Sequence, residues 1–104
     1  MKPLALSLLA LAASLPAAAQ AVDAAALFGQ KCAVCHGKTG TPLPVFANQG
    51  VRNFRDAKWQ AGTTDAQIQQ AIKKGREGTL MRAFEKELSQ AQVEALVKHI
   101  RTLK

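Results

Sequence analysis

Both cysteines of the chain and one of its two histidines fall within one short run, Cys32-Ala-Val-Cys35-His36. Nothing else in the sequence constrains the fold as strongly, because two thiols and an imidazole at this spacing are placed to hold something. Three objects suit a Cys-x-x-Cys pair: a redox disulfide, half of a zinc site, or a covalently anchored haem. A thioredoxin-like redox site needs a βαβ pattern beside it, and no convincing strand pattern is present. A disulfide between residues this close would also close a tiny loop and staple almost nothing. A structural zinc site needs four ligands, and His99 is the only Cys or His left to add. In the third reading the thiols add across the two vinyl groups of a haem, and the next residue, His36, ligates its iron. That reading uses all three residues locally and is the expectation here.

The start of the chain supports it. "MKPLALSLLALAASLPAAAQA" has an early lysine, an apolar run from Leu4 to Leu15, then Pro16 and small residues. This is the layout of a secretory signal peptide over residues 1–21, with cleavage after Ala19 or Ala21, and the apolar run is too short to span a bilayer. Residues 22–104 then form one domain. No later apolar run reaches spanning length, so a soluble periplasmic protein without stable membrane insertion is expected. A domain this small sits near the limit of what one apolar core supports, and a large apolar cofactor relieves that limit.

The formal net charge is +7. Nucleic acid is a poor partner for an exported chain, so the basic balance points to steering toward an acidic protein surface.

Three helices are legible, and the class is all-α. The first starts at Asp23 as N-cap and runs through "AAALFGQKCAVC", with Ala24, Leu27 and Phe28 on one face. The second, "TDAQIQQAIKKG", opens on a Thr64/Gln67 capping box and stops at Gly75. The third opens on a Ser89/Gln92 box and keeps Val93, Leu96, Val97, Ile100 and Leu103 on one stripe. Between them lie two long stretches read as irregular, one carrying Phe46, Phe54 and Trp59, the other "GREGTLMRAF". Long loops in a small domain usually wrap an object or carry function.

A second iron ligand follows by elimination. Met1 belongs to the leader, which leaves Met81 as the one methionine of the domain, in a loop and off any apolar helical stripe. The rival, His99, lies about 100° from the centre of its helix's apolar stripe and reads as a packing or surface residue.

Taken together these features resemble a small monohaem class I cytochrome c of the Met/His-ligated bacterial kind, over nearly all of the domain. Phe28 and Ala24 match the residues with which that family's first helix meets its last. "PVFANQ" is similar to the family's Pro-x-Leu-Ala-Gly-Gln stretch, which implies that the Pro44 carbonyl accepts a hydrogen bond from His36. "GTLMRAF" is similar to the Met-Pro-Ala-Phe ligand loop. Two departures stand out: Arg82 occupies the place of the proline, which leaves the loop less stiff, and His99 replaces an aromatic in the last helix.

The resemblance implies a cytochrome c fold of three main helices and long loops around one covalently bound haem c, with its iron between His36 and Met81. It implies a one-electron carrier and no enzyme activity, since both axial positions are filled. Two alternatives are a ligand-binding or sensing haem protein with a labile Met81, and a fixed electron-input subunit of a larger redox enzyme. Trp59 with Arg52 or Arg55 is expected at the haem propionates. The apolar shell is expected from Leu27, Phe28, Phe46, Ile68, Ile72, Leu80, Phe84, Leu96 and Val97. A monomer is expected, docking redox proteins with acidic surfaces through Lys31, Lys38, Lys73, Lys74, Arg76 and Arg82, with Arg82 foremost.

Overall fold

Asp23 accepts a hydrogen bond from the Ala26 amide at 3.0 Å and starts α1, Ala24–Lys31. The computed structural model describes residues 3–5 and 21–104. The leader expected at residues 1–21 falls almost entirely outside the described residues, as does cleavage after Ala19. Among the described residues no helix is long and apolar enough to cross a membrane.

The expected single first helix is two. α1 ends at Cys32, where the backbone opens to φ −117°, and a second short helix, α2 (Ala33–His36), follows until Gly37 at φ +79° stops it. An added Cβ at Gly37 would lie only 2.0 Å from the Thr41 carbonyl oxygen, so this turn requires glycine. The break falls within the cysteine motif itself.

The first stretch read as irregular contains two more helical turns, α3 (Pro44–Ala47) and α4 (Ala57–Gly62). Neither buries a residue, which is why neither leaves an apolar stripe in the sequence. Their local signals were present nonetheless: Pro44 at a first helical position, and Asp56 capping the Lys58 amide at 2.9 Å.

α5 (Asp65–Lys74) and α6 (Gln90–Thr102) open on the two expected capping boxes, each with both reciprocal bonds formed. α6 packs against both α1 and α5. Phe28 (1% exposed), Val93 and Leu96 are the largest fully buried side chains at the centre of this arrangement. Phe28 meets Phe54 edge-on at 6.1 Å and His99 at 5.0 Å, so the α6 imidazole occupies the aromatic place at the helix crossing.

A polar clasp fixes the C-terminal turn of α6. The Arg101 guanidinium donates to Asp65 Oδ1 at 2.8 Å, to the Gln60 carbonyl and side chain at 2.8 and 2.9 Å, and to the Thr63 carbonyl. Gln60 in turn donates to the Phe54 and Ile100 carbonyls at 2.7 and 3.0 Å. The α4–α5 corner, with Trp59 and Thr63, is thereby held to the last helix.

Candidate functional site

α1, α2, α5 and the two long connections enclose a cavity of about 770 Å³. Its lining includes Cys32, Cys35 and His36, Ile68 and Ile72 of α5, and Leu80 and Met81 of the connection after α5. The volume lies within the range of sites that take a cofactor-sized ligand.

The chemistry of the donors sorts the three readings of the cysteine motif. Both thiols are free and half-buried. Burial pushes the Cys32 thiol up to about 11, so it stays protonated at neutral pH. Redox-active Cys-x-x-Cys sites work the other way, through a lowered thiol pKa. His99, the residue a zinc site would have to recruit, packs on Phe28 and does not line the cavity.

His36 is oriented by two contacts. Its Nδ1 lies 2.9 Å from the Arg52 carbonyl oxygen, and its ring stacks on Phe54 at 4.2 Å and 16°. A carbonyl only accepts, so Nδ1 carries the proton and Nε2 is left as the free base. Burial lowers the imidazole pKa, and the bond to the Arg52 carbonyl opposes it in part. A neutral imidazole with a buttressed Nδ1 is what an iron ligand requires.

The Arg52 carbonyl stands where the family resemblance implied Pro44. Pro44 is exposed at the head of α3 and does not line the cavity. Its carbonyl instead accepts the Asn48 amide at 2.9 Å, because a helical turn forms there. Trp59 and Arg52 do reach the cavity wall, whereas Arg55 does not. Phe54, a wall residue for which the sequence suggested no specific role, stacks on His36 and touches Trp59 at 4.9 Å.

Met81 is half-buried against the core, and its loop is braced from within. The Arg76 amide donates to the Met81 carbonyl at 3.0 Å, and Thr79 Oγ1 donates to the Arg76 carbonyl at 2.7 Å while accepting the Met81 amide at 3.2 Å. Gly75, at φ +71°, lets this loop lie close: an added Cβ would stand 2.7 Å from the Met81 carbonyl oxygen. Leu80, expected in the apolar shell, is 53% exposed at the cavity mouth, and Phe46 does not line the cavity. Leu80 is exposed because it sits at the outer turn of the loop, and Phe46 is held away on α3.

The basic rim is partly neutralised. Arg82 forks onto Glu87 at 2.7 and 3.4 Å, Lys31 reaches the same carboxylate at 3.4 Å, and Lys74 pairs with Glu85. Arg76 lines the cavity and has no carboxylate partner among the described residues. Arg82, expected foremost in docking, is thus ion-paired, whereas Arg76 has no such pair among the described residues.

Residues 19–100 match the family described as cytochrome c oxidase, cbb3-type, subunit III. The cbb3-type cytochrome c oxidase subunit FixP of Azorhizobium caulinodans is 37% identical over 81 residues, covering 76% of this chain and 26% of FixP. The chain thus spans about a quarter of that relative's length. Among solved structures, the KustC0563 c-type cytochrome superposes with a TM-score of 0.74 at 37% identity, covering 80% of this chain and 99% of that one. The dihydro-heme d1 dehydrogenase NirN superposes at 0.57 and 26% identity, over 73% of this chain and 15% of NirN.

Proposed function

Since the chain belongs to the c-type cytochrome family described as cytochrome c oxidase, cbb3-type, subunit III, we propose that it is a one-electron carrier working in the periplasm. It carries covalently bound haem c with iron. The observation behind the reading is a convergence on one cavity: two free thiols, an imidazole with Nε2 unprotonated, and the domain's one methionine.

When bound, the group supplies a reversible one-electron change at iron. Each protein part has a separate task. Cys32 and Cys35 form the thioether anchors. His36 would present Nε2, held in that tautomer by the Arg52 carbonyl, and Met81 would present its sulfur from the loop after α5. A thioether on one side raises the reduction potential relative to two imidazoles. Ile68, Ile72 and Phe84 exclude water, which favours the less charged, reduced state. Arg52 and Trp59 supply donors for the propionates. His36 and Met81 would both be iron ligands in this reading, so the proposed task is transfer rather than catalysis.

A potentiometric titration of the purified holoprotein tests this. The expected curve is reversible and follows a single one-electron step. A spectrum unchanged across the titration contradicts the carrier reading.

Partners with acidic docking surfaces fit the rim, and the leader serves export. Association with such a partner is expected to slow as salt rises, since exposed charges act over about 10 Å at 0.1 M ionic strength. Arg76→Gln, which removes a cation of the cavity wall, is expected to slow it further. Stopped-flow rates at several ionic strengths check both statements; a salt-independent rate counts against steering.

The comparisons favour one second reading. Domains similar to this chain occupy 26% of FixP and 15% of NirN, both longer redox proteins. A fixed electron-input subunit of a larger oxidase is thus the alternative, and co-purification with one stoichiometric partner distinguishes it from a diffusing carrier.

A further inference from the structure

Two segments that line the cavity, one ending at Cys32 and one at Met81, are joined through one carboxylate. Arg82 follows Met81 directly, and Lys31 precedes Cys32 directly. Both reach Glu87: Arg82 Nη1 to Oε1 at 2.7 Å, Arg82 Nη2 to Oε2 at 3.4 Å, and Lys31 Nζ to Oε2 at 3.4 Å. Lys31 and Arg82 both line the cavity, whereas the carboxylate they share, Glu87, does not.

Exposed ion pairs usually contribute little, because ordering two long side chains offsets the attraction. Here the ordering is largely done by other contacts. Glu87 sits in a turn between Phe84 and Leu88, both buried, and its amide donates to the Phe84 carbonyl at 2.9 Å. That turn is pinned to α5 by the Phe84 amide on the Ile72 carbonyl at 2.9 Å and the Glu85 amide on the Lys73 carbonyl at 3.2 Å. The Arg82 guanidinium also lies over the Phe84 ring, 4.0 Å from its centroid, which restrains the fork before it meets the carboxylate. One buried aromatic thus places both halves of the pair.

We propose that Glu87 is a positioning residue: it ties the Met81 loop, through Arg82, to the attachment helix, through Lys31, and so limits how often Met81 leaves its place. The proposal rests on the reading of Met81 as the distal iron ligand. Internal hydrogen bonds shape residues 76–81 into a loop, but they do not tie that loop to α1. Glu87 supplies the tie from the far side of Met81.

The test uses oxidised holoprotein with imidazole as the probe, since imidazole occupies the distal position only when Met81 has left it. A weak sulfur-to-iron charge-transfer band in the unmodified protein establishes the underlying reading; its absence overturns that reading whatever Glu87 does. Given the band, Glu87→Gln is expected to raise the apparent imidazole affinity about two- to five-fold, the range of an exposed but organised pair. It is also expected to speed hydrogen exchange of the Arg76 amide, which donates to the Met81 carbonyl. Arg82→Gln is expected to match it, and the double variant to add nothing further. About 1 M salt, which screens beyond roughly 3 Å, is expected to shift the unmodified protein toward the Glu87→Gln values and leave that variant unchanged. Glu87→Gln with unaltered imidazole affinity and unaltered exchange at Arg76 overturns the proposal.

Discussion

Replacing both Cys32 and Cys35 with serine is expected to yield a protein that keeps no haem through denaturing electrophoresis and that loses much of its thermal stability. The sequence reaches this outcome through the motif, and the structure through the cavity. About 770 Å³ of space is lined by Ile68, Ile72, Phe84 and the motif itself, so the cofactor is the surface against which these walls pack. A domain this small has little apolar burial elsewhere to compensate. Haem staining of the gel reads the first effect, and a thermal melt by circular dichroism reads the second. Each single serine variant retains one anchor and is expected to fall between the two extremes. Covalently retained haem in the double variant would show that the cysteines are not the attachment points.

The second large effect concerns the helix crossing. Phe28 is 1% exposed and touches Phe54 and His99 at the junction of α1 and α6. Phe28→Ala removes a buried aromatic where the surrounding helices cannot collapse, at a cost of about 3–5 kcal/mol. For a domain of this size that lowers the melting temperature by at least about 12 °C. The same substitution leaves the His36 ring on Phe54 and its bond to Arg52 in place. The haem spectrum at low temperature is therefore expected to stay close to the original, and the melting curve alone to move. A melting temperature within a few degrees of the unmodified protein would show that the α1–α6 crossing does not hold the domain together.

What could be read before the structure follows a physical pattern. The capping boxes at Thr64/Gln67 and Ser89/Gln92 are local, so their residues announced α5 and α6, and both formed as written. Stripes of several turns announced which faces of these helices are buried. α3 and α4 have four and six residues and bury nothing, so no periodicity revealed them. The helix break at Cys32 was equally hidden, because nothing in the residue pattern marks it. Within the site, side chains were legible and backbone was not. Met81 and His36 were singled out by residue type and both line the cavity, but the partner of His36 is the Arg52 carbonyl, and a carbonyl has no signature in the sequence. The family pattern pointed to Pro44 instead, and the helical turn at Pro44–Ala47 redirects that carbonyl to Asn48. The pairing of Arg82 with Glu87 was likewise invisible. It depends on Phe84 and Leu88 being buried around a turn, which is a tertiary fact. Counting basic residues gave a rim of free cations, and the carboxylates of Glu85 and Glu87 change which of them are free to meet a partner.

The most direct measurement is the visible absorption spectrum of the oxidised holoprotein at neutral pH, taken beside that of Met81→Ala. His36 and Met81 as the axial pair predict a low-spin spectrum with a weak sulfur-to-iron band in the first and no such band in the second. The variant's reduction potential is also expected to fall, within the roughly 0.8 V over which axial ligands set it. A spectrum lacking that band in the unmodified protein, or one that Met81→Ala leaves unchanged, would contradict the ligand pair on which the carrier function rests.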